Sequence, residues 1–345
     1  MTGSTVGSVL LIGSDPAFAE HDTGPGHPER AARLGAVTAG IGASGIDDAF
    51  VALAPREATR GELERVHTGT YLDALHERCD DGGGRLDPDT VASRGSWRAA
   101  VLAAGMGLAA IDALDSGGAD AAFCAVRPPG HHALADRAMG FCLLNNVAVA
   151  AAALADRGER VCVVDYDAHH GNGTQDIFLA DPRVFYVSMH EWPLYPGSGR
   201  LDETGTGGGV GTTLNFPLPA GATGDVYLAA VDEVVAPALE RFDPTWVLIS
   251  AGYDAHRDDP LTGMGLTAGD FADLTARIAA FAPHPGRLIA FLEGGYGLDG
   301  LRDSVAASLP ALIDGPPMRP EPASSGGPGM AVVAAARDLR ESPGL

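Results

Sequence analysis

The sequence has no lysine. All 23 of its basic residues are arginine, set against 45 acidic ones, for a formal charge of −22 over 345 residues. A Walker-type phosphate loop therefore lacks its required lysine. A field this negative is also ill-suited to holding a nucleic-acid backbone by counterion release, so direct nucleic-acid binding is not expected. The same field favours a cationic partner. Abundant alanine, glycine, arginine and aspartate without lysine is, however, what a GC-biased bacterial genome yields, and that explanation takes precedence. Cysteine is scarce: Cys79, Cys124, Cys142 and Cys162 form no C-x-x-C pair, so buried thiols in a reducing compartment are expected rather than a disulfide framework. Long apolar runs are missing too. The longest unbroken one, Val147–Ala155, falls far short of the roughly 18 residues of a membrane span. The run Val9–Ile12 is too short for a signal sequence and follows no basic segment. A soluble, cytoplasmic protein with no membrane partner is expected, and homo-oligomer formation is left open.

What is present is a 46% hydrophobic share, enough to bury a large core. Short β-branched runs recur at Val9–Ile12, Ala122–Val126, Val161–Asp167, Val184–His190, Thr212–Phe216, Trp246–Ser250 and Leu288–Leu292. Helical patterns fill most of the gaps: Pro28–Ile41, Tyr71–Cys79, Trp97–Leu114, Asn145–Ala155, Asp225–Phe242, Ala268–Phe281 and Leu298–Ile313. Continuous apolar strands alternating with helices predict an α/β fold, a parallel sheet covered on both faces. No composition shift divides residues 1–314, which are expected to form one domain. Gly315–Gly329 is rich in proline, glycine and serine and opens a tail, 315–345. It carries a short amphipathic segment, Ala331–Arg340, expected to be a loosely ordered terminus.

In open α/β sheets ligands bind beyond the carboxyl ends of the strands. Five runs deliver polar residues there: His131 and His132 after the second, Asp165, Asp167, His169, His170 and Asn172 after the third, Ser188, Met189 and His190 within and after the fourth, Asp254 and Asp259 after the sixth, and Glu293 and Tyr296 after the last. Any one of these is an ordinary cap or turn residue; the conjunction is not. Asp167 and His169 are two apart and project to one face of an extended segment. With a later carboxylate such as Asp254 they make a three-ligand set with open positions, suited to zinc acting as a Lewis acid. The histidine pair supplies a proton acceptor and donor. Asp165 is available to back one of the two histidines and Asn172 the other, and Tyr296, between glycines, is placed to donate to a developing oxyanion. The set describes metal-assisted hydrolysis.

Arg127-Pro-Pro-Gly-His-His-Ala133, Gly140-Phe-Cys-Leu-Leu-Asn-Asn146, Asp165-Tyr-Asp-Ala-His-His-Gly-Asn-Gly173, Ser250-Ala-Gly-Tyr-Asp254 with Asp259-Pro260, and Glu293-Gly-Gly-Tyr296 resemble the zinc-dependent histone deacetylase and acetylpolyamine amidohydrolase superfamily, from His21 to about Ile313. Glu293 and Asn172 resemble its class II branch. The resemblance implies an arginase-like fold with an eight-stranded, mainly parallel sheet. It further implies that Asp167, His169 and Asp254 bind one Zn²⁺, that metal-bound water attacks the amide carbonyl, that Tyr296 polarises the carbonyl, that His132 is general base and acid, and that His131, backed by Asp165, is its electrostatic partner. A structural K⁺ is implied at Asp165, Asp167, Ser188 and the carbonyls around His169 and Met189. The implied acyl tunnel has Phe141 on one wall and Gly140 at its floor, with Gly294 also among the substrate-binding residues and Tyr195 as the opposite wall by its place before Pro196-Gly197. Leu261 stands where a polyamine-selective relative carries glutamate, and the loop His21–Glu29 is short. Both favour an acyl-lysine side chain, free or in a peptide, over an acetylpolyamine or another small acylated amine.

Three rivals are weaker. Gly205–Gly211 contains a G-x-G pattern but precedes a strand instead of opening a helix, the wrong context for a dinucleotide site. A two-manganese hydrolase of the arginase kind lacks evident ligands for a second ion. A non-catalytic acyl-lysine binder would have been marked by a missing ligand or tyrosine, and none is missing.

Overall fold

The computed structural model describes residues 8–341, so the first seven residues and the last four of the tail lie outside the described part. Among the described residues ten strands form: β1 (Leu10–Gly13), β2 (Phe50–Leu53), β3 (Gly83–Arg85), β4 (Val91–Ser93), β5 (Ala121–Cys124), β6 (Val161–Asp165), β7 (Val184–Glu191), β8 (Thr213–Leu218), β9 (Trp246–Ala251) and β10 (Leu288–Leu292). Eight build one sheet in the order β2-β1-β5-β10-β9-β6-β7-β8, with every neighbouring pair parallel. β3 and β4 pair separately as an antiparallel hairpin.

The apolar runs became strands because both faces of the sheet are covered, so no residue along them needs to be polar. In β6, Cys162 and Val164 join one core while Val161 and Val163 join the other. Helices Ser96–Asp115 and Asn146–Ala155 seal the second core; helices Ala32–Ala43, Ala268–Ala279 and Leu298–Ala311 seal the first. The helix Ser96–Asp115 is long and apolar enough to cross a membrane, but 78% of its apolar window is buried within the body, as in a core helix.

The topology positions the site. The chain builds β1, β2 and β5, then moves away to β6, β7 and β8, and only later returns to insert β9 and β10 into the gap between β5 and β6. The four central strands, β5, β10, β9 and β6, thus end side by side, and their carboxyl ends carry the polar residues singled out above.

Several elements differ from expectation. β2, the β3–β4 hairpin and the short helices Arg60–Leu63 and Asn172–Phe178 were not anticipated. The expected helix Asp225–Phe242 is interrupted by a π-helical turn at Val231–Val235, just before Pro237, whose ring and missing N–H an ordinary helical ladder does not accommodate. The tail is not a loose terminus. Met330–Arg340 is helical, with Val333 and Ala336 fully buried in the first core, and Ser324, Gly326 and Gly327 hydrogen-bond to Asp270, Asp225 and Thr223 on the body. Burying those two apolar side chains together with these bonds offsets the cost of ordering the segment.

Candidate active site

At the end of β6, Asp165 closes the strand and the chain turns so that Asp167, His169 and Asp254, the last from beyond β9, converge. One ligand atom from each lies within 4.8 Å of the others. His169 Nδ1 is 3.2 Å from Asp167 Oδ1 and 2.9 Å from Asp254 Oδ2. Both carboxylates are buried. Burial, and then the facing Asp167 carboxylate, push Asp254 up to about 7. Two buried carboxylates and one imidazole around a common point are an arrangement that a divalent cation stabilises, and the donor set fits zinc. The surroundings leave room for little else. A Cβ at Gly294 would stand 2.3 Å from Asp254 Oδ2 and 2.6 Å from Asp167 Oδ2, while the Gly294 N–H donates to Asp167 Oδ2 at 2.8 Å.

The histidine pair follows β5. His131 Nδ1 meets Asp165 Oδ2 at 2.9 Å, and His132 Nδ1 meets Asn172 Oδ1 at 2.8 Å. The open choice between the two is thereby resolved: the carboxylate stands behind His131 and the neutral amide behind His132. Burial alone lowers an imidazole, but at His131 the Asp165 and Asp167 carboxylates outweigh it and hold the ring at about 10. At His132 burial wins, reinforced by the charges on His131 and His169, and its value falls well below the usual one. One ring of the pair is held cationic and the other neutral. Their centroids are 4.0 Å apart, and His132 lies edge-on to His169 at 6.0 Å.

Tyr296 lies beyond β10. Burial pushes its phenol well above the usual range, so it keeps its proton as a donor. Its ring packs edge-on to Phe141 at 5.7 Å, with the Arg33 guanidinium 5.0 Å from its centroid. Phe141 has φ +68°, a region unusual for a side chain with a Cβ. Its N–H to Thr90 Oγ1 and its edge-on contact with His27 at 4.8 Å hold it there. Gly140 sits beside the general-base candidate: a Cβ would come within 2.4 Å of His132 Cδ2 and 3.0 Å of Tyr195 Cε1. Tyr195 stands edge-on to His132 at 5.3 Å. Leu261 is 36% exposed, an apolar residue left at the surface, and its N–H donates to Asp259. Ser188 and Met189 are buried on β7, with Ser188 opposite Asp165 in register.

Other residues complete the arrangement. Asp259 Oδ2 accepts the N–H groups of Tyr296 (2.6 Å) and Gly297 (3.1 Å), fixing the tyrosine's backbone. Glu293 Oε2 accepts from the N–H groups of Gly130 (2.6 Å) and His131 (3.1 Å), tying the last turn to the histidine pair. Arg33, buried, donates to the carbonyls of Gly295 and Glu293 and pairs with Glu29, which also binds Arg127 at 2.6 Å. Tyr186 donates its hydroxyl to Asp165 at 3.1 Å. Arg33 and Tyr186 were not foreseen, because an arginine in a helix and a tyrosine in a strand carry no local signal of a buried polar role. Among the described residues, His256, Asp258 and Glu321 form another grouping with metal-compatible spacing, but Arg257 and His256 already satisfy Glu321.

The four cysteines are buried and unpaired, as their spacing led one to expect. The model of the histone deacetylase domain matches residues 27–312. The chain is 41% identical over 288 residues to a probable deacetylase of Archaeoglobus fulgidus, covering 82% of this chain and 80% of that protein. It is 40% identical over 286 residues to a histone deacetylase-like amidohydrolase of Pseudomonas aeruginosa, covering 81% and 74%. Among solved structures, the crystal structure of the HDA15 HD domain superposes with a TM-score of 0.88 at 35% identity, covering 96% of this chain and 94% of that one. The stretch matched by the family model includes the ends of β5, β6, β7, β9 and β10 that carry the site. The chain belongs to the histone deacetylase domain family and is a hydrolase acting on amides.

Proposed function

We propose that the protein removes the acyl group from an acylated lysine side chain, free or in a peptide, releasing acetate from the acetyl form. The single observation that carries this reading is the division of labour in the histidine pair: His131 backed by a carboxylate, His132 by a neutral amide, both facing Asp167, His169 and Asp254. Those three residues would hold zinc, whose Lewis acidity activates water and polarises the acyl carbonyl. His132, neutral, takes a proton from the attacking water and returns it to the departing amine. His131, cationic beside it, stabilises the negative charge that develops. The Tyr296 hydroxyl donates to the oxyanion as the carbonyl carbon becomes tetrahedral. Asp165 and Asn172 keep the two rings oriented. Phe141 and Tyr195 flank the aliphatic linker of the substrate, Gly140 and Gly294 leave space beside His132 and the metal ligands, and Leu261 offers an apolar rim. A structural K⁺ would use Asp165, Asp167, Ser188 and the carbonyls near His169 and Met189; the burial of this group beside the ligand turn supports it.

An apolar rim also admits acetylpolyamines and other small acylated amines. The deciding experiment is a competition between an acetyl-lysine peptide, acetylputrescine and N8-acetylspermidine on zinc-loaded enzyme. A preference of more than tenfold for the peptide is expected; the same margin for a polyamine reassigns the substrate. Binding without turnover would make the protein an acyl-lysine reader instead, and two manganese ions per chain would make it an arginase-type hydrolase. Residues 1–314 are proposed as the catalytic domain with 315–345 appended, working in a reducing cytoplasm that keeps the four thiols free.

A further inference from the structure

The tail lies outside the stretch that the family model matches, yet one of its side chains reaches the loop that carries the site. Glu321 accepts from His256 Nε2 at 2.8 Å, from Arg257 and from the N–H of Ala268, the first residue of the helix Ala268–Ala279. Its side chain is only 18% exposed. Its neighbour Pro322 accepts the Thr267 hydroxyl at 2.7 Å, and a Cβ at Gly269 would stand 2.4 Å from the Glu321 carbonyl, so the segment is closely seated. The loop so gripped runs from Asp254 to Leu266. Within it His256 O accepts the Asp259 N–H at 2.9 Å, and Asp259 holds the backbone of Tyr296, Gly297 and Leu261. A continuous line of contacts therefore joins Glu321 to the oxyanion donor and to the rim.

We propose that Glu321 is a positioning residue for turnover, and that the tail is a strap setting the Asp254–Leu266 loop, and through Asp259 the placement of Tyr296. The inference rests on the deacetylase reading given above. Without the strap His256 and Arg257 lose their shared anion, the loop gains freedom, and Tyr296 meets the oxyanion less often in the productive geometry.

The test is a double-mutant cycle in the full chain between Glu321→Ala and Tyr296→Phe, with Glu321→Gln as the conservative variant. Expected is a fall in kcat of about tenfold for Glu321→Ala, with zinc content unchanged, partial rescue by Glu321→Gln, and less than a twofold further loss when Glu321→Ala is added to Tyr296→Phe. Hydrogen exchange is expected to quicken at residues 255–262 and at the Tyr296 and Gly297 amides. An equal loss in both backgrounds, or unchanged exchange at Tyr296, overturns the proposal and leaves Glu321 a purely structural residue. If Glu321→Ala does not fold, the same cycle and exchange measurement on Glu321→Gln decide, with a loss confined to the Tyr296 background expected. Wild-type protein that turns over no acylated amine defeats the functional reading itself, while the exchange result still judges the strap.

Discussion

Single positions in the site are tightly specified by what surrounds them. In the proposed mechanism Tyr296→Phe removes one donor to the oxyanion, so it is expected to lower kcat by about 10²–10³-fold while zinc stays bound; single-turnover rates with metal analysis check it, and unchanged activity removes Tyr296 from its role. Gly294→Ala drives a methyl into Asp167 and Asp254, so zinc affinity is expected to weaken about 10–100-fold, as when metal-supporting residues are lost. Competition with a chelator measures this. The effect should appear in affinity before it appears in kcat at saturating zinc, since Gly294 transfers no proton in the proposed reaction.

At the scale of elements, His67 shows how a side chain sets a helix. Its Nδ1 lies 2.9 Å from the Leu134 carbonyl, and its Nε2 accepts the N–H of Asn145, the N-cap of the helix Asn146–Ala155. One ring nitrogen must donate and the other accept, so the ring is neutral, and burial lowers it to about 4. A histidine whose folded value lies below its unfolded one, about 6.5, contributes stability that is whole above pH 6.5 and is lost as the pH falls towards 4. The loss should amount to about 3 kcal/mol. Urea unfolding at pH 7 and pH 4.5 should show this, and His67→Gln, which cannot titrate, should show a shallower dependence. An equal dependence in both proteins assigns the acid lability elsewhere. The same scale explains what was legible from sequence. The long apolar strands and the polar residues at their ends declared themselves, because burial on both sheet faces demands the first and chemistry the second. The hairpin β3–β4, with two glycines in its first strand, and the helix opening at Asn172-Gly173 contradict local propensity and form because neighbours supply their partners. The tail's docking was hidden as well, since a proline- and glycine-rich composition describes its freedom before contact and says nothing of the side chains waiting on the body.

For the molecule as a whole, the −22 charge chooses no substrate but should shape how quickly one arrives. Acidic residues assigned to the site are few, and the surplus forms a diffuse field. For an acetyl-lysine peptide bearing extra arginines, kcat/KM is expected to fall several-fold between about 20 and 200 mM salt as screening shortens the field's reach, and to stay nearly flat for a neutral peptide. Identical salt profiles for the two would show that the field has no part in encounter.

The strand order has a further consequence for how the protein comes into being. β5 and β6 are made early, but the two strands that separate them, β9 and β10, and with them Asp254 and Tyr296, are made some hundred residues later. During synthesis both halves of the future sheet hold open inner edges, with nothing in between to pair their N–H and C=O groups. The emerging chain is thus at its most vulnerable just before its centre arrives. A fragment ending at residue 240 should be aggregation-prone and without cooperative unfolding, and the catalytic site should appear as one event, late, with the closure of the sheet.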